Sequence, residues 1–169
     1  MSILAPQSFE VFSHGEEQTE RIGARLGEVL KPGTIITLSG PLGAGKTHFA
    51  RGVGIGWGVV QDLRSPTFTM VQVHRRQVAK GSQLLYHIDL YRTTGASDVR
   101  SLGLDELLDD EHTVTLIEWP ERLNGALPDC AIRVTLTPLS ETRRQLLFAT
   151  NDAHNWQLLL AFRKRVFGA

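Results

Sequence analysis

The loop Gly40-Pro41-Leu42-Gly43-Ala44-Gly45-Lys46-Thr47 matches the pattern G-x-x-x-x-G-K-[ST]. It follows the β-branched and apolar stretch Thr34 to Ser39, which is typical of a strand buried on both faces. A helix is predicted to begin near Lys46. In this setting backbone N–H groups and a helix N-terminus face the same point, where they bind anions. The sequence therefore predicts a phosphate-binding loop, or P-loop, rather than a merely flexible glycine turn.

Two side chains of the loop carry specific chemistry. Lys46 is the expected mobile cation for the β- and γ-phosphates of a nucleotide. Thr47 offers a hydroxyl to Mg²⁺, which prefers a few protein oxygens together with water and substrate phosphate. We therefore expect a nucleotide and Mg²⁺ as ligands.

Composition limits the remaining classes of protein. The 169 residues are 41% hydrophobic, and 18 Lys+Arg balance 18 Asp+Glu, which excludes a disordered or fibrous chain and gives no global signature of nucleic-acid binding. No apolar stretch approaches the roughly 20 residues of a membrane span, and the first residues lack a basic n-region with a long apolar h-region. The single cysteine, Cys130, suits a reducing compartment. We expect one domain over residues 1–169, in the cytoplasm and without a membrane partner.

Hydrophobic periodicity predicts an α/β chain. Strands are expected at residues 8–12, 34–39, 68–73, 83–89, 113–118, 131–136 and 145–150, with hairpins joining the third to the fourth and the sixth to the seventh. The first helix is expected after a capping box at Ser13 and Glu16, and its shared face consists of Ile22, Leu26, Val29 and Leu30. Two more helices are expected from Lys46 and around residues 98–108. The last helix is expected at the C-terminus, where it is marked by Trp156, Leu159, Leu160 and Phe162. The predicted fold is a P-loop NTPase fold with three layers and a mixed parallel and antiparallel central sheet. Its second helix is expected to contain Gly52, Gly54, Gly56 and Gly58, each of which costs about 1 kcal/mol relative to Ala in a helix interior, so its far end should be weak.

Hydrolysis or transfer needs a carboxylate at a strand end, and two are available. Glu118 ends the strand TVTLIE and Asp89 ends YHID, at the sheet edge where the P-loop also opens. The alternative for each is a carboxylate that caps the following turn. Trp119 is either core packing or a rim of the site.

Three further features are weaker. Thr67 of Ser65-Pro66-Thr67 lies where many P-loop proteins sense the nucleotide, but a Ser-Pro turn explains it equally well. The basic run 163–165 is more simply explained by the helix dipole than by RNA contact. The six histidines show no ligand spacing.

Four motifs in this order carry a family resemblance: GPLGAGKTHFARG (40–52), SPTF (65–68), YHIDLYR (86–92) and LIEWPERL (116–123). The chain resembles the TsaE (YjeE) family, bacterial ATPases needed for threonylcarbamoyladenosine modification of tRNA. The resemblance implies ATP rather than GTP, in agreement with the absence of an N-K-x-D guanine signature from the sequence.

The resemblance also implies roles for particular residues. It implies Mg²⁺ held by Thr47 and Glu118, hydrolysis that depends on Lys46, Asp89 and Glu118, and Thr67 in a switch-like loop. The remaining positions that it places around the nucleotide, beyond the loop residues 40–47, are His48, Trp119, Glu16 and Arg144.

The family's partners are the TsaD and TsaB proteins, with tRNA reached indirectly through their complex, and its hydrolysis is thought to reset that complex. A small-molecule or nucleoside kinase is the alternative, although Arg75-Arg76 is the one arginine cluster after the P-loop that suits a lid, and it lacks glycine hinges. A nucleotide-binding scaffold without catalysis is a third class, against which Asp89 and Glu118 argue.

Overall fold

The computed structural model describes residues 7–60, 63, 70–94 and 96–168. The strands within this part of the chain are β1 (Gln7–Ser13), β2 (Ile35–Ser39), β3 (Val71–Val78), β4 (Gly81–Asp89), β5 (Thr113–Glu118), β6 (Ile132–Pro138) and β7 (Arg144–Thr150). The helices are α1 (Glu16–Gly27), α2 (Lys46–Trp57), α3 (Ala96–Ser101), α4 (Leu104–Leu108) and α5 (Ala153–Phe167), with a 3-10 helix at Pro120–Leu123. No described helix has the length and apolar character needed to cross a membrane.

The strands form one sheet in the order β1-β7-β6-β2-β5-β4-β3. In its centre β2 runs parallel to β5 and β6, and β4 runs parallel to β5. The outer pairs, β1 with β7, β6 with β7 and β3 with β4, are antiparallel. Because the carboxyl ends of parallel strands share an edge, the loop after β2 and the acids that end β4 and β5 come together there.

Apolar side chains cover both faces of this sheet. One cluster joins the sheet to α1, α2 and α5 through, among others, Leu26, Phe49, Val53, Phe162, Leu116 and Val134. A smaller cluster on the opposite face joins it to α4 and the 3-10 helix through Leu104, Leu123, Ile35, Ile88 and Ile117. Alternate residues of β2 and β5 enter the two clusters, as expected of strands buried on both faces. The predicted three-layer α/β fold with a mixed sheet is confirmed.

The glycines of α2 form its contact with α1. A Cβ at Gly52 would lie 2.0 Å from the carbonyl oxygen of Glu20, and one at Gly56 would lie 1.9 Å from that of Ala24. Neither distance is compatible with a real side chain, so only glycine lets the two backbones approach this closely. The helix ends at Trp57, and Gly58 is its left-handed C-cap rather than an interior residue. Gly52 and Gly56 lower the intrinsic helix propensity, but they also allow the close packing against α1.

The predicted capping box is wrong. Ser13 is the last residue of β1, where it pairs with Arg144, and α1 begins at Glu16 with Gly15 as its N-cap. The Ser13 hydroxyl bonds with the hydroxyl of Thr19 and donates to the carbonyl of Gly15. Strand pairing therefore places Ser13 two residues before the N-cap position.

Other boundaries move by a few residues. The helix α1 ends at Gly27, so Val29 and Leu30 follow it rather than lying on its face. The strand predicted at 68–73 is observed at Val71–Val78, and residues 68–69 lie outside the described part of the chain. The helical region predicted at 98–108 consists of two short helices, α3 and α4. Both hairpins and the C-terminal helix are confirmed.

One side chain ties the β3–β4 hairpin to the end of α2. The Arg76 guanidinium lies 3.1 Å from the centroid of the Trp57 ring and donates a 2.8 Å hydrogen bond to the Trp57 carbonyl. It also donates to the side chain of Gln83 on the neighbouring strand. The Arg76 guanidinium therefore has a structural role between α2 and the hairpin, and it does not act as a lid arginine over a nucleotide.

Candidate functional site

A cavity of about 280 Å³ opens at the edge where the parallel strands end. Its lining residues are Glu16, Leu42, Gly43, Gly45, Lys46, Thr47, His48, Asp89, Tyr91, Glu118, Trp119 and Arg144. The loop, the start of α1, the start of β7 and the ends of β4 and β5 thus meet at one place. Most of the predicted site residues are among them.

The beginning of the P-loop shapes the cavity without lining it. Gly40 has φ 145°, and a Cβ there would lie 2.4 Å from the carbonyl oxygen of Leu136, so the position requires glycine. The carbonyls of Gly40 and Pro41 accept hydrogen bonds of 2.6 and 2.9 Å from Lys46 Nζ. Ala44 is fully buried, and its N–H donates to the Pro41 carbonyl. These residues hold the loop and its lysine in place.

Lys46 is a buried cation, with 5% of its surface exposed. Its Nζ lies 4.0 Å from the centroid of the Trp119 ring. Burial lowers the pKa of Lys46, and the negative charges of Glu118, Glu121 and Asp89 oppose that shift. The carboxylates at the strand ends therefore favour the charged lysine that a phosphate ligand needs.

Trp119 forms a rim of the cavity. Its backbone is left-handed, with φ 61° and ψ 50°, which is an unusual conformation for a bulky residue. Its N–H donates to the carbonyl of Leu38 on β2, and its ring lies over Lys46 and 5.0 Å from the Tyr91 ring. The ring also packs partly on the smaller apolar cluster, so both of the predicted roles are present.

The two strand-end acids are neighbours. Asp89 and Glu118 are paired residues of β4 and β5, and both line the cavity. Asp89 Oδ1 also accepts a 3.0 Å hydrogen bond from the N–H of Tyr91, so the turn-capping alternative holds for this residue as well. The Glu118 side chain is 3% exposed and lies 2.8 Å from His87 Nε2. It faces the site rather than capping a turn.

His87 and Tyr91 are the residues that sequence reasoning missed. His87 is fully buried, and Tyr91 contacts Trp119 at the cavity wall. A signal was present for His87, since it precedes Asp89 by two residues on one strand and therefore shares its face of the sheet. Sequence reasoning tested the histidines only as metal ligands, whereas His87 contacts the carboxylate of Glu118.

Arg144 lies against the helix end of the P-loop. The position of a Cβ at Gly45 is 3.3 Å from Arg144 Nε, a buried atom with no hydrogen-bond partner among the described residues. Its Nη1 makes long contacts of 3.5 Å with the Thr19 hydroxyl and the Thr142 carbonyl. A buried guanidinium with an unpaired Nε donor beside a P-loop suits an anionic ligand.

At the start of α1, Glu16 Oε2 lies 3.6 Å from His48 Nε2, and both residues line the cavity. Thr67 lies outside the described residues, so its predicted role stays a prediction. The basic run at the end of α5 has local partners: Arg165 donates to Glu28, and Arg163 lies over the Phe9 ring.

The donor set fits Mg²⁺ bound together with a phosphate. Thr47, Asp89 and Glu118 offer hydroxyl and carboxylate oxygens, which are hard donors, to one cavity. Across the described ranges, no group of three or more His, Cys, Asp or Glu side chains forms a metal cage. Such a site suits a cation that takes its remaining ligands from phosphate and water.

The sheet order, the P-loop and the acids at the strand ends define a protein of the P-loop α/β class. The family model described as "Threonylcarbamoyl adenosine biosynthesis protein TsaE" matches residues 13–146, and the chain belongs to the TsaE family.

Curated relatives and a solved structure agree with this assignment. The chain is 34% identical to the tRNA threonylcarbamoyladenosine biosynthesis protein TsaE of Treponema pallidum, over 81% of this chain and 97% of that protein. It is 37% identical to the protein of the same name from Mycobacterium bovis, over 75% of this chain and 77% of that protein. The crystal structure of Bacillus subtilis YdiB superposes with a TM-score of 0.78 at 26% identity, covering 96% of this chain and 98% of that one.

Proposed function

We propose that this protein binds and slowly hydrolyses ATP with Mg²⁺ and acts in threonylcarbamoyladenosine modification of tRNA. One observation carries the chemical part of the proposal: a single cavity brings together the P-loop residues Lys46 and Thr47 with the strand-end carboxylates Asp89 and Glu118. The relatives named above supply the biological part, since they are tRNA threonylcarbamoyladenosine biosynthesis proteins.

Nucleotide binding follows from the charge distribution in the cavity. The loop N–H groups and the start of α2 favour an anion, and Lys46 supplies a buried positive charge. Arg144 adds one donor, Nε, that lies against Gly45 and has no hydrogen-bond partner among the described residues. The lack of a guanine signature in the sequence, together with the family, supports ATP as the nucleotide.

Thr47 and Glu118 are the proposed ligands of Mg²⁺, which, when bound, neutralises charge on the β- and γ-phosphates. Asp89, beside Glu118 on the next strand, is placed to orient water or to hold the charge that develops during hydrolysis. The rings of Trp119 and Tyr91, 5.0 Å apart, form an aromatic wall on this side of the cavity. Burial lowers the pKa of Lys46, and the charges of Glu118 and Asp89 oppose that shift and so favour the charged form of the side chain.

The same site explains why we propose slow turnover by the isolated protein. Arg144 is the arginine among the described lining residues, and it packs at the helix end of the loop rather than beside the strand-end acids. An arginine supplied by a partner is worth roughly 10³ to 10⁵ in rate in related chemistry. We therefore propose that the TsaD and TsaB proteins are the partners and that tRNA is reached through them.

The test combines phosphate release with complex formation. Purified protein is assayed with ATP, ADP or no nucleotide, with and without TsaD and TsaB. Slow release alone, faster release with partners and an association that requires nucleotide are expected. Fast hydrolysis alone with no association under any condition contradicts the proposal, and phosphoryl transfer to an added small-molecule acceptor would favour a kinase.

A further inference from the structure

Glu118 is the most deeply buried charged residue that lines the cavity, and its side-chain hydrogen-bond partner among the described residues is His87. Glu118 is 3% exposed at its side chain, and His87 Nε2 lies 2.8 Å from Glu118 Oε1. His87 itself is fully buried. A carboxylate removed from water is costly unless it is hydrogen-bonded, so this contact is a condition for keeping Glu118 at the site.

Strand register creates the contact. Asp89 is paired with Glu118 across β4 and β5, and Leu116 is paired with His87. His87, Asp89 and Glu118 therefore point to the same face of the sheet, with His87 one pleat deeper. The two acids lie at the strand ends, where they line the cavity, and the His87 imidazole lies two residues before Asp89, further inside the sheet.

The chemistry of the pair fixes the direction of the hydrogen bond. A carboxylate that binds a cation is only an acceptor, so His87 Nε2 must carry the proton and donate it. Donation to Oε1 restrains the rotation of the carboxyl group and leaves Oε2 without this restraint.

We propose that His87 is a positioning residue that holds the Glu118 carboxylate in the orientation that binds the divalent cation. The inference rests on the proposed function, because it takes Glu118 to be a cation ligand. Partners that orient metal ligands in this way are worth about 10- to 100-fold in metal affinity.

A matched control lies on the adjacent strand. His74 is also buried, faces the same side of the sheet and has its ring centroid 6.5 Å from that of His87. Neither of its ring nitrogens has a hydrogen-bond partner among the described residues. His74→Leu therefore removes a buried imidazole without touching Glu118.

The experiment measures cation affinity rather than turnover. Mn²⁺ is titrated into the full-length protein with a non-hydrolysable ATP analogue and followed by electron paramagnetic resonance, and analogue affinity is also measured in EDTA. In His87→Leu we expect Mn²⁺ affinity to fall by about 10-fold or more, with analogue affinity in EDTA unchanged. In His74→Leu we expect parent Mn²⁺ affinity.

Two amide variants keep the test decisive if His87→Leu unfolds. The amide nitrogen of Gln is as many bonds from Cα as Nε2 of His, whereas that of Asn matches Nδ1. His87→Gln should therefore restore most of the Mn²⁺ affinity and His87→Asn should not. Equal affinities in these two variants would overturn the proposal, as would parent affinity in a folded His87→Leu.

Glu118→Gln separates this inference from the proposed function. If Glu118→Gln weakens Mn²⁺ binding and His87→Leu does not, the cation site stands and the role of His87 is wrong. If Glu118→Gln leaves Mn²⁺ binding unchanged, the cation site itself is wrong, and the role of His87 is wrong with it.

Discussion

The two walls of the cavity are built in different ways. The loop wall is one continuous segment, residues 40–47, in which backbone carbonyls hold Lys46. The strand wall is assembled from β4 and β5, whose facing residues Asp89 and Glu118 are far apart in sequence. The loop wall depends on backbone shape and the strand wall on side-chain placement. Substitutions should therefore separate phosphate binding, a property of the first wall, from cation binding and hydrolysis, properties of the second.

The largest effect is expected on the strand wall. Glu118→Gln keeps the shape of the side chain but removes its charge, so single-turnover phosphate release should fall by roughly 10² to 10³. Analogue affinity in EDTA should change little, because the loop wall is intact. Asp89→Asn should behave in the same direction. Release at the parent rate in folded Glu118→Gln would show that the strand wall is structural only.

The next effect concerns the loop wall. Lys46→Ala removes a charge-assisted contact worth about 1.5 to 3 kcal/mol, which is roughly 10- to 100-fold in nucleotide affinity. The loss should appear in EDTA as well as in Mg²⁺, unlike that of Glu118→Gln. Equilibrium titration with a fluorescent ATP analogue measures it, with the exposed Lys80 changed to Ala as the control. Equal affinities in Lys46→Ala and Lys80→Ala would contradict the P-loop assignment.

The contact between α2 and α1, which supports the loop wall, is expected to be sensitive to added side-chain volume. Gly56→Ala places a Cβ where the Ala24 carbonyl lies, so α2 must move away from α1. Overpacking of this kind costs about 1 to 3 kcal/mol in the free energy of unfolding, measured by urea denaturation. Gly15→Ala, whose Cβ meets open space, should cost much less. Similar losses in both variants would mean that helix contact is not the cause.

The smallest effect is a pH dependence that arises at His74, on the strand β3 beside the strand wall. Burial, with a smaller contribution from His87, lowers the pKa of His74 from its usual value of 6.5. The unfolded chain then binds the proton more tightly, so the free energy of unfolding decreases as pH falls through 6.5 towards the folded-state pKa. His74→Leu should reduce this decrease. Urea denaturation of parent and variant at several pH values measures the difference, and identical pH profiles would contradict it.

The contrast between the walls also explains what the sequence could predict. The P-loop was predictable because its function resides in consecutive residues between a buried strand and a helix. Asp89 and Glu118 were predictable as acids at strand ends. The spacing of His87 from Asp89 indicated their shared face, but the contact of His87 with Glu118 was not predictable, because only the register of β4 on β5 creates it. The capping box failed for a similar reason, since pairing with β7 retains Ser13 in β1.

The backbone contact between α1 and α2 has a consequence for motion. Helices that touch at Gly52 and Gly56 cannot slide without breaking contacts along their whole interface. We therefore expect the amide protons in the middle of α2 to exchange with solvent only when the whole protein unfolds. Between such unfolding events, we expect the helix that follows the loop wall to keep one position while successive nucleotides bind and leave.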